Sequence, residues 1–398
     1  MRQSLDDLQL QFQAIGSGLA LYHDHPADVI TQVFQQHRIQ AVFVNRDYTP
    51  FSRMRDSELA QICLHLNIDF HVVPDYLLVE PEEAMKAKGK PYQIFTAFYN
   101  NARQFVVPLP TPLEKPSFVK VEGDFTINPP AFLRAEANVT TIAGGRNQAL
   151  AILNTLSKQA DYHARRDYPA LDATSRLSAH LKFGTCSIRE AHYAIVQKLG
   201  HDHPLLRQLY WRDFFTHTAF HYPHVFGKAF HRRYDKLVWD NNRDSFQRWA
   251  EGKTGFPVVD AGMRELNATG FMHNRVRMIV ASFLTKDLHI SWRWGERYFA
   301  QHLVDYDPCV NNGNWQWAAS TGCDAQPYFR IFNPWLQQQK FDPDCQYIYR
   351  WIPELKGIPV SSIHNWHSKH SVLLYPKPMV DHAWESRVAK VRYNNLRP

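Results

Sequence analysis

The stretch Asp305–Pro334 reads DYDPCVNNGNWQWAASTGCDAQPYFRIFNP. Asn and Gly at 311–314 predict a turn where backbone comes close to another group, with Trp315 and Trp317 on its far side. Asp305 and Asp307 have no basic neighbour beside them, so other helices or a ligand must meet their charges. Taken singly, these residues also read as an ordinary core and an ordinary turn, because Trp and Phe mostly fill cores and Asn-Gly makes tight turns.

The whole chain has 398 residues, enough for two or three domains with full cores. With 44% hydrophobic and 21% charged residues and no low-complexity run, it reads as a folded globular protein. A net charge of +7 favours a polyanionic partner such as nucleic acid, and 14% aromatic residues suit stacking on flat ligands. The cysteines (Cys63, Cys186, Cys309, Cys323, Cys345) are scattered without C-x-x-C spacing, which predicts reduced thiols of a cytoplasmic protein. No H-E-x-x-H pattern points to a metal, and no apolar run has membrane-spanning length.

Residues 2–15 predict an amphipathic helix with Leu5, Leu8, Phe12 and Ile15 on one stripe. Apolar runs at Leu19–Tyr22, Ala41–Val44 and Phe70–Val73 predict strands, with helices between them at 26–37 and 53–66. That alternation implies βαβ units and a parallel, Rossmann-like sheet. The first helix starts almost at Met1 with no strand and no cap ahead of it, so the opening strands of the sheet are expected to be absent. Prolines 108, 110, 112, 116, 129 and 130 predict an extended connector. From Gly144 on, the pattern is helical. The expected organisation is an incomplete α/β domain over 1–107, a linker over 108–138 and a larger all-α domain over 139–398.

Several clusters in the helical part carry chemistry. Tyr162 precedes Thr174-Ser175-Arg176-Leu177-Ser178, where hydroxyls at a helix start can donate to phosphate oxygens, or simply cap the helix. In RQLYWRDFF (207–215), Gln208 lies one turn before Trp211 and Arg212. In MHNRVRM, Asn274 and Met278 are four apart, presenting an amide and a thioether on one face. Arg275 and Arg277 point to other sides, one toward solvent and one toward the core, where Asp305 is the evident acidic partner. Trp239, Trp292 and Trp315 lie in separate segments, and spacing does not show whether they meet.

Together, the motifs GGR, TSRLS, YWRDF, EGKTGFP, MHNRVRM, WRWGERYF, NNGNWQWAAS and PYFRIFNP resemble the photolyase/cryptochrome family, most closely its microbial cyclobutane pyrimidine dimer photolyases. The resemblance is dense from Gly144 to the C-terminus and looser over 1–105. It implies FAD folded within the helical domain, with Tyr162, Thr174, Ser175, Leu177 and Ser178 on its phosphates and Arg212 near the flavin. It also implies an Arg277–Asp305 pair beside the ring, Asp307 near the ribityl chain and ring edge, and Asn311 facing N5. Trp315, Trp292 and Trp239 would be the electron chain from the surface. Trp211 and Trp317 would clamp a flipped-out dimer, touched by Asn274 and Met278. Arg166, Arg275 and Arg330 would meet DNA phosphates. UV-damaged DNA is the implied partner, and a monomer without obligate protein partner is expected.

Two departures bear on function. Gln208 stands where dimer photolyases have Glu, as is common in six-four photolyases and animal cryptochromes, but those relatives have His where this chain has Asn274 and Met278. The family's opening strand and its Arg-Arg-Asp-Leu-Arg-like motif are missing, which leaves an antenna chromophore of folate or deazaflavin type without its expected strands. Light-driven dimer repair is therefore the first reading, and six-four repair or a cryptochrome-type blue-light photoreceptor the alternatives.

Overall fold

The computed structural model describes residues 1–111, 117–118, 142–369 and 375–396. Helix α1 (Arg2–Ala14) is followed by α2 (Pro26–Gln36), β1 (Ala41–Asn45), α3 (Pro50–His65) and β2 (Asp69–Val73). Pro26 and Pro50 take first-turn positions where their missing N–H costs nothing, and the Thr49 hydroxyl caps α3 by accepting from the Ser52 N–H at 3.1 Å. β1 and β2 pair in parallel, from Ala41 opposite Asp69 to Asn45 opposite Val73. α2 and α3 pack on each other, and α3 packs on β2. A short antiparallel pair, β3 (Met85–Lys86) with β4 (Lys90–Pro91), and helix α4 (Phe95–Ala102) complete this part.

From residue 142 on, the described residues form helices and turns without a strand. In order these are α5 (Arg146–Asn154), α6 (Tyr162–Arg165), α7 (Ser178–Phe183), α8 (Ile188–Leu199), α9 (Pro204–His221), α10 (Arg243–Ala250), α11 (Pro257–Thr269) and α12 (Asn274–Lys286). Then come α13 (Trp292–His302), α14 (Pro308–Ala318), α15 (Pro334–Phe341), α16 (Gln346–Trp351), α17 (Val360–His364), α18 (Trp366–Lys369) and α19 (His382–Asn394). An α/β region followed by a larger helical region is the expected architecture.

Three local expectations are corrected. The run Leu19–Tyr22 makes only an isolated bridge at Leu21, because the Leu19 N–H is taken by the Gln9 side chain at 2.8 Å. The sheet therefore has two strands among the described residues. The stripe of α1 is not buried: Leu8 and Ile15 are exposed. Instead α1 caps α5 from outside, its Gln3, Ser4 and Asp7 side chains accepting from the N–H groups of Gly144, Gly145 and Arg146. Finally, Asn311–Asn314 is not a turn but lies within α14. Weak helix formers are held helical there by tertiary contacts, since both Asn311 and Asn312 are buried and hydrogen-bonded. The closeness expected at this point is real: a Cβ on Gly313 would stand 2.1 Å from Phe215 Cδ1.

The expected linker, 108–138, falls mostly outside the described residues, including Pro112, Pro116, Pro129 and Pro130. The segment before it does not stand apart from the helices. Leu78, Val79, Phe95, Phe98 and Val107 share one core with Leu153, Leu206 and Phe214. One face of α9 grips the backbone of this segment at four-residue intervals. Asp213 accepts from the N–H groups of Leu78 and Val79, His217 pairs with the Val79 carbonyl at 2.8 Å, and His221 pairs with the Pro81 carbonyl at 3.1 Å. No described helix is long and apolar enough to cross a membrane. All five cysteines are buried and unbridged.

Candidate functional site

Asp307 starts α14, accepting from the Val310 N–H at 2.9 Å with Pro308 at the first helical position. Burial raises this carboxyl to about 6 against the backbone hydrogen bonds that favour its charge. The Tyr76 hydroxyl donates to Asp307, and Lys182 on α7 stands 3.9 Å away. Arg212 on α9 lies over the Tyr76 ring, 3.5 Å from its centroid, and donates to the Tyr76 carbonyl. With Asp47, Thr216 and Cys309, the residues Tyr76, Lys182 and Asp307 line a cavity of about 470 Å³.

Two residues earlier, Asp305 accepts from Nη2 of Arg277 at 3.0 and 3.2 Å, while Arg277 Nε donates to the Met272 carbonyl at 2.7 Å. The Asp305 side chain is only 4% exposed, so the guanidinium is what makes its charge tolerable. Arg277 and Arg176 both lie over the Phe271 ring, at 5.4 and 5.5 Å. This ring joins the TSRLS segment to the ion pair.

Within that segment Arg176 has φ of 53° and Leu177 returns to the right-handed region at φ −72°. The Leu177 N–H reaches back toward the Ser175 hydroxyl at 3.5 Å, so the segment folds over itself just before α7. The conformation costs a non-glycine residue about 1 kcal/mol or more. Thr174, Ser175 and Ser178 flank this turn in sequence, and α7 begins there. Tyr162 is buried, with the Arg166 guanidinium 5.4 Å from its ring centroid. Hydroxyls clustered at a helix start, with a neutralised carboxylate nearby, fit a diphosphate-linked flavin such as FAD.

Asn311 donates to the Glu296 main-chain carbonyl at 3.0 Å, and Asn312 donates to the Glu296 carboxylate at 2.7 Å. Burial raises Glu296 to about 7. Sequence reasoning missed Glu296, although its spacing was a signal: four residues after Trp292 and three before Phe299, it lies on the buried stripe of α13. It also missed Lys182 and Tyr76, which no motif marked.

Trp315 and Trp292 are buried and Trp239 is half-buried, all against one core. The rings packed on Trp315 are Phe299 at 5.0 Å and Trp249 at 6.2 Å. Among the described residues no ring contact joins Trp315, Trp292 and Trp239.

On α12 the Asn274 amide lies 3.9 Å from Met278 Sδ. Arg275 leaves the other side of the helix, pairs with Asp167 at 2.9 Å and lies over Phe341. Arg166 stands 3.9 Å from the same carboxylate, so two cations share one anion. Arg330 is exposed and Trp317 is half-buried near Phe332. Trp211 stacks flat on Phe95 at 3.6 Å, which covers one of its faces, and it shares no ring contact with Trp317. Gln208 is half-buried one turn before Trp211, its amide 3.4 Å from the Pro204 carbonyl.

A small α/β region clasped to a helical core, with a hydroxyl-bearing helix start joined through Phe271 to a buried Arg–Asp pair, defines a flavin-binding class of protein. Residues 1–116 match the family described as DNA photolyase, and residues 205–395 match the FAD binding domain of DNA photolyase. The deoxyribodipyrimidine photo-lyase of Vibrio cholerae is 36% identical, the alignment covering 98% of this chain and 88% of that protein. That of Escherichia coli is 37% identical over 91% of this chain and 79% of that protein. Among solved structures, the archaeal photolyase of Sulfolobus tokodaii with two FAD molecules is 42% identical with a TM-score of 0.88, over 99% of this chain and 87% of that one. A cryptochrome of Synechocystis is 29% identical with a TM-score of 0.84, over 98% and 86%. The chain belongs to the DNA photolyase family.

Proposed function

We propose that this protein is a deoxyribodipyrimidine photo-lyase, which repairs cyclobutane pyrimidine dimers in DNA with light and FAD. One observation carries the reading. The first turns of α12 hold Asn274 and Met278 side by side, while Arg277 of the same turns neutralises buried Asp305. One short helix thus joins the place for a lesion to the place for a flavin.

In this reading Tyr162, Thr174, Ser175, Leu177 and Ser178 hold the diphosphate of FAD. The Arg277–Asp305 pair, Asp307, Asn311 and Arg212 surround its flavin end. Bound FAD supplies the light absorption and the one-electron donation that open the dimer. Trp315, Trp292 and Trp239 supply electrons from the protein. The lesion has to leave the duplex first, at a cost of a few kcal/mol that is least for damaged bases. Trp211 and Trp317 then stack on it, Asn274 and Met278 touch it, and Gln208 offers an uncharged amide. Arg166, Arg275 and Arg330 bind backbone phosphates and make affinity salt-dependent. The protein acts as a monomer inside the cell on UV-damaged DNA, with the flavin in 139–398 and the α/β region, 1–107, joined by 108–138.

The test uses two oligonucleotides, one carrying a cyclobutane dimer and one a six-four product, illuminated with purified protein and resolved by chromatography. Loss of the dimer alone supports the reading. Loss of the six-four product alone would reassign the substrate to the class that Gln208 resembles. Loss of neither, with FAD bound, would favour a photoreceptor.

A further inference from the structure

An aromatic path leaves Trp315 in a direction that avoids Trp292. The Trp315 ring meets Trp249 edge to face at 6.2 Å and 71°, and Trp249 meets Tyr298 at 5.6 Å and 65°. Trp249 is fully buried and its indole N–H is fixed on the Val280 carbonyl at 3.1 Å. Tyr298 is half-buried, donates to Asn267 Oδ1 at 2.7 Å and carries His302 stacked on it at 4.0 Å. Trp292, in contrast, has the Arg293 guanidinium 4.6 Å from its ring centroid. That cation attracts the neutral ring but opposes a positive hole on it.

We propose that Trp249 and Tyr298 form a second electron relay, branching from Trp315 and ending at the surface beside His302. The inference rests on the reading of Trp315 as the residue that gives an electron to the light-excited cofactor. Trp249 replaces that electron, and Tyr298 replaces the one lost by Trp249. Tyr298 loses its phenolic proton in the same step. Asn267 accepts the hydrogen bond but is no base, so the proton goes to water. An added thiol, the external reductant, returns one electron and one proton to Tyr298. Trp249 and Tyr298 act through Trp315, so they relay electrons and do not catalyse the repair step.

The test compares wild type, W315F, W292F, Y298F and W292F/Y298F, each with its flavin content measured. Photoreduction is followed by absorbance with a thiol present, and illuminated samples are examined by electron paramagnetic resonance. W292F is expected to photoreduce more slowly than wild type while showing a tyrosyl radical signal. W292F/Y298F is expected to lose both the remaining photoreduction and the signal. Complete loss of photoreduction in W292F alone, or a residual rate indifferent to Y298F, would overturn the branch while leaving the flavin site intact. Photoreduction of W315F at the wild-type rate would instead show that Trp315 is not the donor, and the branch would fall with it.

Discussion

Gly313 of α14 lies against the ring of Phe215 of α9, so that a Cβ there would stand 2.1 Å from Cδ1 and 2.6 Å from Cγ. This contact sets the crossing of the helix that carries Trp211 and Arg212 with the helix that carries Asn311 and Trp315. Replacing Gly by Ala inside a helix would ordinarily gain about 1 kcal/mol. Overpacking a close crossing costs about 1–3 kcal/mol, so packing should win. Gly313→Ala is expected to lower the denaturation midpoint and reduce the flavin retained on purification. A midpoint equal to or above wild type would show that the two helices separate at little cost.

The Arg277–Asp305 pair is a charge-compensation device and should behave as one. Arg277→Met leaves a nearly inaccessible carboxylate without its cation, at a cost of about 3–5 kcal/mol. Adding Asp305→Asn should recover much of that loss, because the orphaned charge is then gone. Urea unfolding of both singles and the double gives the coupling. Additive losses would mean that the two residues act separately.

Glu296 gives a pH dependence with a definite sign. Its folded value is raised to about 7 from 4.5, so the folded state keeps a proton that the unfolded chain releases in between. The stabilising contribution of that proton is complete below about 4.5 and is lost as pH rises through 7. Glu296→Gln keeps an acceptor for Asn312 without the charge. The variant should match wild type near pH 4 and exceed it above pH 7, by on the order of 3 kcal/mol. Melting curves across this range decide it, and a constant difference would remove Glu296 as the titrating group.

Arg275 and Arg166 share the single carboxylate of Asp167. If both meet phosphate, Arg275→Gln should weaken binding to UV-irradiated oligonucleotides and lower the log–log salt slope by about one. Asp167→Asn removes the competing anion and should tighten binding. Fluorescence anisotropy over a salt series measures both. Unchanged affinity in Asp167→Asn would place these arginines away from DNA.

Much of this molecule was legible before its coordinates. Residue types fixed the βαβ pair, because short apolar runs at 41–44 and 70–73 flank a helical stretch, and they fixed the helical character after 144. The Arg277–Asp305 and Asn274–Met278 relationships followed from spacing and charge. Asn311–Asn314 was misread because local propensity favours a turn, whereas the helix is imposed by Glu296, Val225 and Phe215 from elsewhere in the chain. Leu19–Tyr22 failed as a strand for a similar reason, its first N–H being claimed by Gln9. Lys182, Tyr76 and Trp249 were invisible because each acts through a neighbour distant in sequence. Where Trp239, Trp292 and Trp315 lie relative to one another is likewise a property of packing, and packing gave Trp315 a different aromatic neighbour, Trp249.

The central claim is that light absorbed by FAD in this site repairs the dimer. One preparation should be divided, with its flavin-to-protein ratio measured, and a dimer-bearing oligonucleotide incubated under blue light and in matched darkness with a reductant. Repair in light alone, falling in proportion as flavin is stripped from the protein, is the expected result. Repair in darkness, or light-driven repair indifferent to flavin content, would contradict it.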